Sequence, residues 1–266
     1  MTPKKFKTIL LCQLGLFFLA SGAALADEKN KLPAEIITIS ADEWCPYNCS
    51  QKEGYPGFMI EIAKAAFKLS NIDVTYKPSN WSRTIKLVKD GKIDGGVGVT
   101  EEEARSENFA YGKEPMGQSS FVFVVRKDEK WRFTGPESLP KIRFGIIQDY
   151  DNGPVINTYM ATKPGNVVTQ VGSDGFKKNM KLVLAGRINA AIEDGTVAAY
   201  ELSTMGLADK TKFVALDEEP LPVSIGFTPG PKGERLASIL DAGIQKLRST
   251  GQLAKILARY GLKDWK

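Results

Sequence analysis

The chain has 266 residues, with 36 Lys and Arg against 31 Asp and Glu, and no histidine. Without histidine there is no Ser-His-Asp or Cys-His nucleophile activation, no His-ligated zinc and no imidazole acid–base work, so a hydrolase would have to rely on carboxylates alone. Three lysines and no acids lie in residues 1–26, so losing that segment lowers the net charge from +5 to +2, too little and too evenly spread to argue for nucleic acid or an anionic membrane.

Residues 1–26 read as a cleaved secretory signal: Lys4, Lys5 and Lys7 precede an apolar run over 9–20, and Ala24-Leu25-Ala26 fits the small-x-small cleavage rule. The run is shorter than the roughly 20 apolar residues of a spanning helix. Cys12 lies inside it, so nothing points to a lipoprotein. An exported chain meets an oxidising compartment, where Cys45 and Cys49 are expected to form a disulfide, a reactive or metal-binding pair being the alternative.

Residues 36–40 (IITIS) predict a strand, and 42–49 a loop bearing Trp44 and Tyr47. Phe58, Ile62, Ala66 and Leu69 recur at helical spacing, 74–77 returns as a strand, Ser82 is a candidate cap for the next helix, and 93–99 is a third strand. Strand, helix, strand, helix, strand implies a parallel sheet with right-handed crossovers. A second series follows, with strands at 142–147, 167–171, 188–192 and 213–216 and helices at 153–161, 175–185 and 195–205. Two β runs, 119–126 (SSFVFVVR) and 222–228 (PVSIGFT), read as crossings between two lobes, and two extended crossings make a hinge. Amphipathic helices at 237–247 and 252–260 would return to the first lobe. The expected division is 1–26 signal, 27–118 first part of lobe 1, 119–226 lobe 2, and 227–266 the remainder of lobe 1.

One pattern occurs twice. Val88-Lys-Asp-Gly-Lys-Ile-Asp-Gly-Gly96 lies over Val183-Leu-Ala-Gly-Arg-Ile-Asn-Ala-Ala191 without a gap, each a helix end, a glycine stop, a basic residue and a strand that turns small. Glycine at a strand end usually marks a close approach to the backbone, and in open parallel sheets ligands sit outside the carboxyl ends of the strands. Two copies suggest two lobes offering strand ends to a shared cleft.

The ordered series Trp44-Cys-Pro-Tyr, Gly57-Phe-Met-Ile-Glu-Ile-Ala-Lys-Ala, Asp90-Gly-Lys-Ile-Asp94, Phe109-Ala-Tyr, Phe144-Gly-Ile-Ile-Gln148, Ala185-Gly-Arg-Ile-Asn-Ala-Ala-Ile-Glu-Asp194 and Leu247-Arg-Ser-Thr-Gly-Gln-Leu-Ala-Lys-Ile resembles the family 3 extracellular solute-binding proteins, periplasmic receptors of polar amino acid ABC importers. The resemblance covers nearly the whole mature chain. It implies an α/β, two-lobed type II periplasmic binding fold that clamps a small molecule and hands it to an inner-membrane ABC permease. A periplasmic, non-enzymatic monomer without cofactor is expected. By similarity, Trp44 stands where an aromatic stacks on the ligand, Gly96, Gly98 and Thr100 where backbone and hydroxyl groups receive a carboxylate, and Asp194 where an acid accepts the α-amino group.

One position departs from the family. The carboxylate-clamping arginine usually stands three residues after the threonine, and here that residue is Glu103, which would repel a carboxylate. Arg83 and Arg105 are the candidate replacements, each with a surface-residue alternative. Trp81 either stacks on ligand or fills the gap between helix and sheet, Glu103 is either solvated or contacts a cationic ligand, and Asp194 is a ligand acid, a helix cap or both. Gln148, Asp149 and Tyr150 follow the first strand of the second series, where the family often holds a carboxylate on helix amides. Asp149, Asp151, Asp194 and Glu103 together favour an amine or cation. A dehydratase-type enzyme on the same fold and a sensory adaptor to a membrane receptor are the other readings.

Overall fold

The computed structural model describes residues 34–50 and 54–266; the signal reading of 1–26 lies outside the described residues. Two five-stranded sheets organise the chain. The first holds β1 (Glu35–Ser40), β2 (Ile72–Tyr76), β3 (Gly95–Thr100), β4 (Gly117–Ser119) and, last in sequence, β10 (Leu221–Phe227), in the order β2-β1-β3-β10-β4. The second holds β5 (Phe121–Arg126), β6 (Phe144–Ile147), β7 (Val167–Gln170), β8 (Ala190–Asp194) and β9 (Thr211–Ala215), in the order β7-β6-β8-β5-β9. The two orders have the same form. Three parallel strands lie beside a fourth, antiparallel strand that arrives from the other sheet.

Helices α1 (Phe58–Lys68), α2 (Trp81–Lys89) and α3 (Glu101–Ser106) belong to the first lobe, together with α7 (Pro231–Ser249) and α8 (Gln252–Ala258). The second carries α4 (Pro154–Ala161), α5 (Gly175–Leu184) and α6 (Gly195–Thr204). In α1 the side chains of Phe58, Ile62 and Ala66 are buried, as their helical spacing requires, and Phe67 is buried with them, whereas Leu69 falls at the C-cap and is exposed. They join Ile37, Ile39, Val97 and Val99 from the sheet and Leu236, Leu240 and Ile244 of α7 in one core.

Close helix packing explains a glycine inside α7. A Cβ on Gly243 would lie 2.6 Å from the Ala66 Cβ and 2.9 Å from its Cα. Alanine is ordinarily favoured over glycine within a helix by about 1 kcal/mol, but overpacking a close contact costs roughly 1–3 kcal/mol. Packing therefore wins, and Gly243→Ala is expected to lower stability by about 1 kcal/mol, read as a reduced urea midpoint; a variant more stable than the parent would show that α1 and α7 move apart freely.

The doubled motif folds the same way in both copies. Gly91, at φ 65°, and Gly186, at φ 66°, take the left-handed conformation that ends α2 and α5. Gly91 N donates to Val88 O and Lys92 N to Leu87 O, while Gly186 N donates to Val183 O and Arg187 N to Leu182 O. These are the paired bonds of a Schellman stop, and each leads into a strand that pairs near the middle of its sheet.

Four details differ from the sequence reading. The run 119–126 divides at Ser120, leaving β4 in the first sheet and β5 in the second. The run 222–228 lies within or next to β10, which pairs between β3 and β4 of the first sheet, so the chain returns through 216–220 and not at 226. Burial explains this, because Val223, Ile225 and Phe227 fill the first core. The acidic run after Thr100, for which no element is expected above, forms α3: Thr100 Oγ1 accepts the Glu103 N–H at 3.2 Å, and three acids in the first turn suit the helix dipole. Asn80, not Ser82, caps α2, accepting the Arg83 N–H.

Candidate functional site

The C-terminal ends of β1, β3, β6 and β8 converge on one cavity. It contains about 480 Å³ of atom-free space, part of it open to solvent. Its walls are aromatic and aliphatic, from Trp44, Trp81, Phe121, Tyr150, Val97 and Val223, and its polar groups are mostly acids: Asp42, Glu103, Asp151 and Glu193. Among the described residues no lysine or arginine lines it.

Each acid is positioned by a short local device. Asp42 follows β1 and accepts the Tyr150 hydroxyl proton. Glu103 sits in the first turn of α3, where its Oε1 accepts the indole N–H of Trp81 at 3.1 Å. Asp151 follows β6 and is held on three sides, by Thr100 Oγ1 at 2.8 Å, Gly153 N at 2.9 Å and Asn157 Nδ2 at 2.6 Å. Glu193, only 4% exposed, lies in β8 with its Oε1 accepting from the Trp44 indole at 3.0 Å and from the Asp194 N–H at 2.9 Å. Trp44 also stacks on Tyr47 at 4.1 Å, in the loop whose Cys45 and Cys49 are joined by a disulfide.

Burial dominates the electrostatics. It pushes the Glu103 carboxyl up to about 8, with the charge of Asp151 adding and the Trp81 bond opposing. It pushes Glu193 likewise to about 8, against the bonds from Trp44 and the backbone, with Asp194 and Asp42 adding. Asp42 rises to about 6 through burial, opposed by its bond from Tyr150. These are carboxyls that lack a cation.

Several bonds cross from lobe to lobe around the cavity. Trp44 reaches Glu193, Tyr150 reaches Asp42, Thr100 reaches Asp151, and Ser82 Oγ donates to Asp149 at 2.5 Å on the rim. The lobes are thus closed on each other.

Of the residues singled out in the sequence, Trp44, Trp81, Gly98, Thr100, Glu103 and Tyr150 come together here. Gly98, at φ 94°, takes a backbone conformation that favours glycine and lies beside the Trp44 ring, which a Cβ would meet at an ordinary contact distance of 3.6 Å. Gly96 lies behind the wall, facing Thr84 and Trp81. Asp149 stands at the outer opening, and Gln148, exposed, donates to it. Neither arginine replaces the missing clamp: Arg83 is exposed and lines neither the cavity nor its outer opening, and Arg105 is exposed and pairs with Glu101 at 3.1 Å.

Asp194 is one residue removed from the cavity wall. Its Oδ1 accepts the Thr196 and Val197 N–H groups and caps α6, while its Oδ2 accepts from Ser119 Oγ and Ser120 N at the crossing between lobes. A cap alone is worth about 0.5–2 kcal/mol, and the buried donors left without a partner add to that. Asp194→Ala is therefore expected to cost about 3 kcal/mol in chemical denaturation; a variant of parental stability that had lost only ligand binding would return Asp194 to the ligand.

Asp42 and Glu193 were not singled out in the sequence. Glu193 follows an alternation a sequence does display: in a strand adjacent side chains take opposite faces, so if Asp194 turns back to cap the helix its neighbour faces the cleft. Asp42 carries no such signal. Among the described residues no group of three or more His, Cys, Asp or Glu is placed to hold a metal ion, and no helix is long and apolar enough to cross a membrane.

The family model described as bacterial extracellular solute-binding proteins, family 3, matches residues 36–263. A protein described as a probable histidine-binding protein of Neisseria gonorrhoeae is 21% identical over 246 residues, covering 87% of this chain and 85% of the relative. The arginine-binding periplasmic protein of Mannheimia haemolytica is 22% identical, covering 85% and 91%. A solved structure concerned with glutathione import through a cystine ABC importer of Streptococcus mutans superposes with a TM-score of 0.72 at 22% identity, covering 86% of this chain and 96% of the other.

Proposed function

The chain belongs to the bacterial extracellular solute-binding proteins of family 3, and from that premise we propose that it is a periplasmic, non-enzymatic receptor for a small organic cation or amine, delivering it to an ABC permease. One observation carries the reading: among the described residues, four carboxyls and no cationic side chain line the cavity between the lobes. A carboxylate-bearing amino acid would meet Glu103 where a guanidinium fork would be needed. An ammonium instead finds acceptors that burial has left short of a positive charge, and the faces of Trp44 and Trp81 suit a cation as well. Closure around the ligand follows from its preference for the closed state, in which acids from both lobes reach it together.

A thermal-shift panel of alkylamines, amino acids and small peptides tests this. Amines are expected to raise the melting temperature while simple α-amino acids do not; a response confined to amino acids, or none at all from folded protein, sinks it. One observation favours a second reading: a cleft carboxyl pushed up to about 8, such as Glu103, is what a dehydratase-type general acid requires. Against it, the cavity offers no cation among the described residues to hold an acidic substrate. Turnover of cyclic acids that disappears in Glu103→Gln would establish the enzyme.

A further inference from the structure

The four acids of the cavity divide into two pairs, and each pair takes one member from each lobe. Glu103 on α3 of the first lobe and Asp151, which follows β6 of the second, meet at Thr100, whose Oγ1 accepts the Glu103 N–H at 3.2 Å and donates to Asp151 at 2.8 Å. Asp42, after β1 of the first lobe, accepts from Tyr150 of the second, while Glu193 in β8 of the second accepts from Trp44 in the same first-lobe loop as Asp42. A tryptophan N–H is donated into each pair, from Trp81 to Glu103 and from Trp44 to Glu193. Between them the wall carries the apolar Val97, Phe121 and Val223, with Asn48 and Ser119 as further polar groups.

Closing the lobes therefore presses like charges together at two places. Two carboxylates at one place either share a proton or hold a cation between them. A single cation relieves one pair and leaves the other unrelieved. Glu193 makes the need concrete: it is 4% exposed, it lines the cavity, and its Oε2 accepts no hydrogen bond among the described residues. An acceptor so placed is open to a donor from the ligand.

Building on the receptor reading above, we propose that the ligand carries two cationic centres joined by an apolar spacer, one seated between Glu103 and Asp151 and the other between Asp42 and Glu193. Such a molecule ties the lobes together at two points, and its spacer lies along the apolar wall.

Titration calorimetry on the mature chain, in buffer above pH 8 where the pairs are ionised, distinguishes the possibilities. The probes are tetramethylenediamine and hexamethylenediamine, the chain-matched n-butylamine and n-hexylamine, and arginine and histidine. At least one diamine is expected to bind ~10-fold or more tightly than its matched monoamine. Glu103→Gln and Glu193→Gln, each checked by circular dichroism for parental secondary structure, should each bring that diamine down to the monoamine level, because each removes one seat. Monoamines that bind as tightly as diamines would overturn the two-seat arrangement while leaving the cation receptor intact. Binding of arginine or histidine alone, or of no probe, would overturn both.

Discussion

Raising the pH from about 5 to about 8 is expected to destabilise the ligand-free protein, opposite to the trend of a protein held by ionised carboxylates. Glu103 and Glu193 rise from 4.5 to about 8 on folding, and Asp42 rises from 3.8 to about 6. Below the unfolded values both states hold the proton and the groups cost nothing. Between the unfolded and folded values the folded protein binds more protons, so stability falls with rising pH, and above about 8 the loss is complete. Each pKa unit is worth about 1.4 kcal/mol, so even a small part of these shifts is enough to move a melting temperature by several degrees. Glu114, Glu129, Asp90 and Asp174 work the other way, since their folded pKa values are lowered and their contribution disappears in acid. The optimum should therefore lie near pH 5. Glu193→Gln removes one titrating group and should flatten the alkaline limb. A melting temperature that stays level or climbs between pH 5 and 8 would mean the cavity acids are solvated. The same linkage predicts that a bound cation drives protons off the pairs, seen as a binding heat that depends on the ionisation enthalpy of the buffer.

The features that make this site acidic were legible in the sequence to different degrees. Backbone-determined features were clear: the stops at Gly91 and Gly186 are chain geometry, the same bonds recur at both, and the bare strand at Gly96 and Gly98 follows directly. The substitution of Glu103 for an arginine was equally visible, because it is a single position in a fixed spacing. Long-range pairing was not. Residues 222–228 look like an edge of the second series because β-branched pattern does not reveal the partner strand, and only burial of Val223, Ile225 and Phe227 against β3 assigns them to the first sheet. The acids were hardest. Asp194 and Glu193 are adjacent, and which of them faces the cavity depends on the register of β8 and on the cap of α6. Asp42 enters the site only through the meeting of two loops from different lobes.

Glu103→Arg is expected to invert the preference of the site. In the parent, Glu103 and Asp151 offer a pair of negative charges to one end of the ligand. The substitution turns an attraction into a repulsion, and two unit charges about 4 Å apart interact by about 4 kcal/mol at an effective dielectric of about 20. Solvent and the neighbouring Asp151 reduce that figure, so amine binding should weaken by ~100-fold, or about 2.7 kcal/mol. The new guanidinium lies three residues beyond Thr100, at the N-terminal turn of α3, where N–H groups already favour an anion. A carboxylate would then find a fork in place of an acid, while Glu193 and Asp42 at the far end still accept an amine. The variant should accordingly bind an α-amino acid more tightly than any simple amine, the reverse of the parent. Calorimetry against arginine, histidine and the alkylamines reads both changes in one series. If Glu103→Arg keeps its amine affinity, Glu103 takes no part in binding, and the acidic character of this end of the cavity rests on Asp151 alone.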